Sequence, residues 1–185
     1  MDSFSKEAPL TWKVFGTMKT RDITLSTLFG VVIFSQKLLL PAPYDKYVTI
    51  FLQITLLCLV FLTSGMIGPI LTSLISGLLT AMMRGGLPLM TFTVALLYGV
   101  LVSSFNSLFR VVEAGQLKRR RLMASALTST LLVGISSSSV TIALGLIPYS
   151  LTFVSTMLFF GGLQGLIGGY LSGVFWMRYF RNLAS

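Results

Sequence analysis

Any chemistry in this 185-residue chain must come from very few side chains. There is no histidine, one cysteine (Cys58) and five acids: Asp2, Glu7, Asp22, Asp45 and Glu113. A metal cluster needs several His, Cys or carboxylate ligands held close together, and the sequence offers no such set. Serines are plentiful, but a serine nucleophile here lacks an imidazole base, so a Ser/Lys pair is the one catalytic arrangement left. A proton-coupled carrier needs a carboxylate inside an apolar segment, and no acid is clearly placed in one. These residue types predict a protein that is not an enzyme and uses no cofactor or metal. They leave room for binding, through Lys37, Tyr44, Asp45, Gln53, Arg84, Thr91, Ser136, Ser139 and Tyr149.

The elements that would position those residues are read from hydropathy. Hydrophobic residues make up 54% of the chain and charged ones 10%, with a mean hydropathy of +0.87. A soluble domain carries about 25% charged residues, so the composition predicts an integral, multi-pass membrane protein. Uncharged runs broken by Gly, Pro or charge predict six spans, near 22–40, 47–64, 66–83, 87–110, 122–146 and 149–177. Asp22 reads as the N-cap of the first, and Pro69 falls in the first turn of the third. The expected fold is all-α, six transmembrane helices in a compact bundle, with a lead at 1–21 and a basic tail at 178–185. No cleavable signal peptide is evident in the polar lead.

Six spans put both termini on one side. That side collects Lys6, Lys13, Lys19, Arg21, Arg110, Lys118 to Arg121, Arg178 and Arg181, eleven of the fourteen cations. The other side keeps Lys37, Lys46 and Arg84. Positive charge accumulates in cytoplasmic loops, so both termini are expected in the cytoplasm of a cell-membrane protein. VEAGQLKRRRLMAS at 112–125, which in a soluble chain would suggest nucleic acid, becomes an anchor to anionic headgroups.

The polar residues named above then gather at the outer face. One reading is a shallow pocket for a small polar ligand, with Lys37 or Arg84 facing an anionic group. The other is that Lys37 and Arg84 snorkel while Tyr44, Tyr47 and Tyr149 form an interfacial belt. Small residues recur four apart: Ser26 and Gly30; Ser73 and Gly77; Gly161, Gly165, Gly169 and Gly173. Such spacing flattens a helix face for close approach, within the bundle or, on the first helix, by a partner subunit.

Three stretches resemble a known family. TRDITLSTLFGVVIF at 20–34 is similar to the opening of the substrate-binding S components of energy-coupling factor (ECF) vitamin transporters. SGMIGPILTSLISGLLTAMM at 64–83 resembles that family's second-to-third-helix hairpin, and GGLQGLIGGYLSGVFWMRYFRN at 161–182 its Gly-rich last helix and basic tail. The resemblance implies a subunit that captures a vitamin or precursor at the outer face. It would work with a transmembrane coupling subunit and two ATPases. It also implies a gating role for the loop carrying Tyr44 and Asp45, and docking through the first helix. There the family carries Ala-x-x-x-Ala and this chain has Ser26 and Gly30. Lys118, Arg119, Arg120 and Arg121 would face the coupling machinery. The alternative is a non-transporting membrane subunit or assembly factor whose small-residue faces bind partner helices.

Overall fold

The computed structural model describes residues 19–39, 44–83, 87–113, 116–145 and 150–180. Six α-helices follow one another: α1 Thr20–Leu39, α2 Tyr44–Ser64, α3 Ile67–Met83, α4 Pro88–Leu108, α5 Arg119–Ala143 and α6 Leu151–Phe175. A π-helical turn, Trp176–Phe180, prolongs α6. Between α4 and α5, β1 (Val112–Glu113) and β2 (Gln116–Leu117) pair antiparallel. Among the described residues, four helical segments are long and apolar enough to cross a membrane: α1, α4, α5 and Val154–Phe180. The shorter apolar segments are Val48–Ser64 and Ile67–Met83. With 17 residues, α3 rises about 26 Å, a little less than a hydrocarbon core of about 30 Å.

Several ends differ from the sequence expectation for physical reasons. Asp22 does not cap α1; the helix begins at Thr20, and Asp22 sits in its first turn, where a carboxylate favours the positive end of the helix dipole. α5 begins at Arg119 rather than 122, with Lys118 extended as its N-cap, so the three arginines form the first helical turn. The expected tail at 178 is still helical, and Arg178 lies in the π turn. α2 stops at Gly65, whose φ of +73° is a conformation that favours glycine. Its N–H closes on the Phe61 carbonyl at 2.9 Å.

α2 packs against all five other helices, which follow one another around it in the order α1, α3, α4, α5, α6. That place explains why residues 57–62 of α2 are buried without a break. A helix covered all round has no reason to alternate in polarity. Contacts at successive depths fix the directions. Ser26 meets Thr72 and Lys37 meets Thr80 and Met83, so α1 and α3 run the same way. Ser103 bonds the Met66 carbonyl while Gly77 abuts Ala95, so α4 runs against α3. α5 runs against α4, because Arg121 at its start reaches the Phe109 carbonyl at the end of α4. α6 runs against α5: Met177 bonds Arg119 at one end and Met157 bonds Ser138 at the other. Gly168 abuts Phe51 and Ile54 while Ser172 bonds the Thr55 carbonyl, which sets α2 parallel to α6. Lys19, Arg21, Arg110, the β-hairpin and Arg178 therefore share one end of the bundle, the basic end. Lys37, Thr80, Thr91 and Ser138 mark the other.

Small residues make the helix crossings. A Cβ on Gly30 would lie 3.1 Å from the Thr72 carbonyl and from Ile75 Cγ2. One on Gly169 would lie 2.9 Å from Ala126 Cβ and 3.0 Å from Met123 Cα. Polar bonds cross the same seams: Thr72 Oγ1 donates to the Ser26 carbonyl at 3.1 Å, and Ser172 Oγ to the Thr55 carbonyl at 2.8 Å. Apolar transfer gives little preference for helix–helix contact over lipid, so such close approaches and bonds carry association within a membrane.

Candidate functional site

At the basic end, the charged groups of the turn between α4 and α5 pair within the chain. Glu113 on β1 accepts from Lys118, and Arg121 Nη1 donates to the same carboxylate oxygen at 3.0 Å. Arg121 also lies 3.5 Å and 3.4 Å from the carbonyls of Phe109 and Arg110, which close α4. A guanidinium there complements the negative end of that helix. The Lys118 hydrogen bond and charge, followed by Arg121, hold the Glu113 carboxyl below its usual range. Arg119 Nε donates to Met177 Sδ at 3.1 Å, and the Arg120 side chain is exposed.

At the opposite end, part of the chain's polar equipment is left unanswered. Gln36 lies three residues before the end of α1 and Thr49 five residues after the start of α2. At 1.5 Å per residue they sit about 5 and 8 Å below the helix ends, on neighbouring antiparallel helices. Both amide atoms of Gln36 are buried without a hydrogen-bond partner, and so is Thr49 Oγ1. Thr49 is 8% exposed; Gln53, one turn deeper on the same face of α2, is 5% exposed. A buried polar group with no partner costs about 1–3 kcal/mol, a cost that a water or ligand supplying the bonds removes. Next to Gln36 in the chain, Lys37 joins Phe34, Leu38, Thr80 and Met83 in lining a shallow cleft between α1 and α3 with room for about one water.

The residues expected from sequence to bind a ligand divide as follows. Lys37 lines the cleft, and Gln53 is inside the bundle below Thr49. Thr91 turns its hydroxyl back to the Leu87 carbonyl at 3.1 Å. Ser136 is half-buried and Ser139 exposed, while their neighbour Ser138 points inward, bonding the Gly134 carbonyl at 2.7 Å and approaching Met157 Sδ at 3.3 Å. The side chains of Tyr44 and Asp45, and residues Arg84 and Tyr149, lie outside the described residues. Ser26 and Gly30, expected to form a flat face for packing within the bundle or for a partner subunit, are buried against Thr72 and Ile75 of α3. Thr49 was not singled out, although its spacing of four from Gln53 places both on one helix face. Gln36, too, lies outside the residues that the sequence puts forward as ligand-binding.

The fold and these two ends define an all-α protein with helices suited to a bilayer. Compared with known proteins, the chain matches no protein family, no curated protein and no solved structure.

Proposed function

We propose that this chain is the substrate-capture subunit of an ECF-type importer, embedded in the cell membrane with its basic end in the cytoplasm. It binds a vitamin-like small molecule at the opposite, outer end. The observation that carries the reading is the set of buried polar atoms without protein partners on Gln36 and Thr49, beside the Lys37 cleft. A ligand presenting both donors and acceptors would complete those bonds, with Gln53 below them. The resemblance at 20–34, 64–83 and 161–182 supports the same reading. The gating role of Tyr44 and Asp45 and the contact of Lys118 to Arg121 with a coupling subunit belong to it as well.

The test is ligand-induced thermal stabilisation of the detergent-purified chain across water-soluble vitamins and their precursors, with native mass spectrometry for retained molecules. Thr49→Val and Gln36→Met should abolish the shift while leaving the ligand-free melting temperature unchanged or higher, because each removes an orphaned polar group at nearly constant volume. No retained molecule and no shift across the panel would sink the proposal. Stable co-purification with subunits other than a coupling protein and ATPases would favour the alternative, a non-transporting subunit or assembly factor.

A further inference from the structure

Two neighbouring faces of α6 and its π turn end in cations. Gly173 and Met177, four residues apart, face the start of α5. A Cβ on Gly173 would lie 3.6 Å from Arg119 Cγ, and Arg119 Nε donates to Met177 Sδ at 3.1 Å. The next face round carries Leu163, Ile167, Tyr170 and Val174 at helical spacing, and Arg178 continues that stripe four residues beyond Val174. Leu163, Ile167 and Tyr170 are 45%, 44% and 47% exposed, because α6 packs on α5 and α2 through Gly165, Gly169 and Gly168 instead. In a bilayer this stripe meets acyl chains. It runs about 20 Å from Leu163 to Arg178, more than the roughly 15 Å of hydrocarbon in one leaflet.

Neither cation has a carboxylate. Glu113 is taken by Lys118 and Arg121, and neither Arg119 nor Arg178 forms an ion pair among the described residues. Both side chains are exposed. The Arg119 guanidinium spends one N–H on a thioether, a weak acceptor. That of Arg178 lies over the Tyr179 ring, its Cζ 5.9 Å from the centroid. Stacking uses the face of a guanidinium and leaves its N–H edge for an oxyanion.

We propose that Arg178 and Arg119 hold the headgroup phosphate of an anionic phospholipid whose acyl chains lie along the Leu163, Ile167 and Tyr170 face of α6. Charge and shape select this occupant. Guanidinium N–H groups match phosphate oxygens, and the apolar stripe runs straight into the cations. A zwitterionic lipid brings its own ammonium to compete for the phosphate. An acidic protein surface would answer the cations and leave the stripe without a role. The site needs only the membrane setting, not the capture of a small molecule at the other end, so the two readings fail separately.

Native mass spectrometry of the full chain in detergent tests this, with phosphatidylglycerol and phosphatidylcholine of identical acyl chains as probes. Phosphatidylglycerol should be retained in preference to phosphatidylcholine. Arg178→Gln and Arg119→Gln should each weaken its binding about tenfold or more, as loss of a charge-assisted hydrogen bond does. Arg110→Gln removes the same charge from the end of α4, two places round the bundle from α6, and should leave binding unchanged. An equal loss in all three variants would mean diffuse attraction to the basic end and overturn the site. Equal retention of the two lipids by the unaltered chain would also overturn it, leaving the cations to an acidic partner surface. Excess inorganic phosphate should not displace the lipid; displacement would show that the apolar stripe contributes nothing, and the lipid assignment would fall.

Discussion

Along α6 the glycines at 161, 165, 169 and 173 form one regular series, yet their surroundings differ, and the difference sets a sharp test. An added Cβ at Gly165 would fall 2.5 Å from Thr130 Oγ1 and 3.1 Å from both the Ala126 carbonyl and Leu127 Cα. At Gly169 it would meet Ala126 Cβ at 2.9 Å and Met123 Cα at 3.0 Å. At Gly161 the nearest atom is Thr130 Cγ2 at 4.0 Å, and at Gly173 the contacts begin at 3.6 Å. Carbon atoms pack best about 3.5–4.0 Å apart, so alanine fits at 161 and 173. At 165 and 169 it presses on the α5 backbone, which a rotamer change cannot relieve. The helix-propensity gain of replacing glycine by alanine is common to all four positions and cancels between them. What remains is the overpacking cost, about 1–3 kcal/mol. At about 2–4 °C per kcal/mol for a chain of this size, Gly165→Ala and Gly169→Ala should melt about 2–12 °C below Gly161→Ala and Gly173→Ala in the same detergent. Equal melting temperatures for the four variants, or the reverse order, would refute the packing of α5 on α6 described here.

Two further outcomes follow from the basic end. Arg110 closes α4 with φ +47°, a left-handed conformation that costs a residue with a Cβ about 1–2 kcal/mol. Arg110→Gly should therefore raise the melting temperature by a few degrees, about 2–4 °C per kcal/mol recovered; a fall would mean that the exposed Arg110 side chain stabilises more than the strain costs. Glu113 titrates below its ordinary value of 4.5 because Lys118, then Arg121, favour its charged form. A depressed folded-state pKa contributes stability that is fully present above the unfolded value and lost as pH falls through the folded one. Hydrogen exchange at the Lys118 amide, which bonds the Val111 carbonyl at 2.9 Å, should thus lose protection on acidification below about pH 4.5. In Glu113→Gln that protection should be lower and insensitive to pH; an unchanged acid response in the variant would exclude Glu113 as the titrating group.

The helices were legible because their ends are marked by strong local signals: Pro88 opens α4, and Gly65 closes α2. What misled was the meaning of charge. Lys118 to Arg121 fall outside a fifth span drawn as an uncharged run, but arginine is a good helix former and Glu113 lies within reach on the preceding strand. That pairing depends on Val112–Glu113 folding back along Gln116–Leu117, a two-residue ladder too short for any periodicity to announce. The serine run at 136–139 misled in another way. Four consecutive residues on a helix are spread at about 100° steps, so the apparent cluster disperses: Ser138 turns toward Met157 and Ser139 outward. Ser26 and Gly30 announced a flat face correctly. Which helix covers it depends on the order in space, where α1 lies beside α3 as well as α2, and no local pattern encodes that order.

Cations at the start of α5 oppose the positive end of its dipole, so the arrangement there would be unfavourable without Glu113 and the carbonyls that end α4. Those partners are present, and they balance the charges of Lys118 and Arg121 in that turn. Gln36 and Thr49 carry three buried atoms with no such partners. At about 1–3 kcal/mol each, three orphans would weigh heavily against a net stability of about 5–15 kcal/mol. A water or a ligand that supplies the bonds removes that cost. Gln36 and Thr49 lie within two turns of their helix ends, and Lys37 beside Gln36 lines a cleft. A group bound at that end can exchange with solvent, as the proposed capture of a small molecule requires.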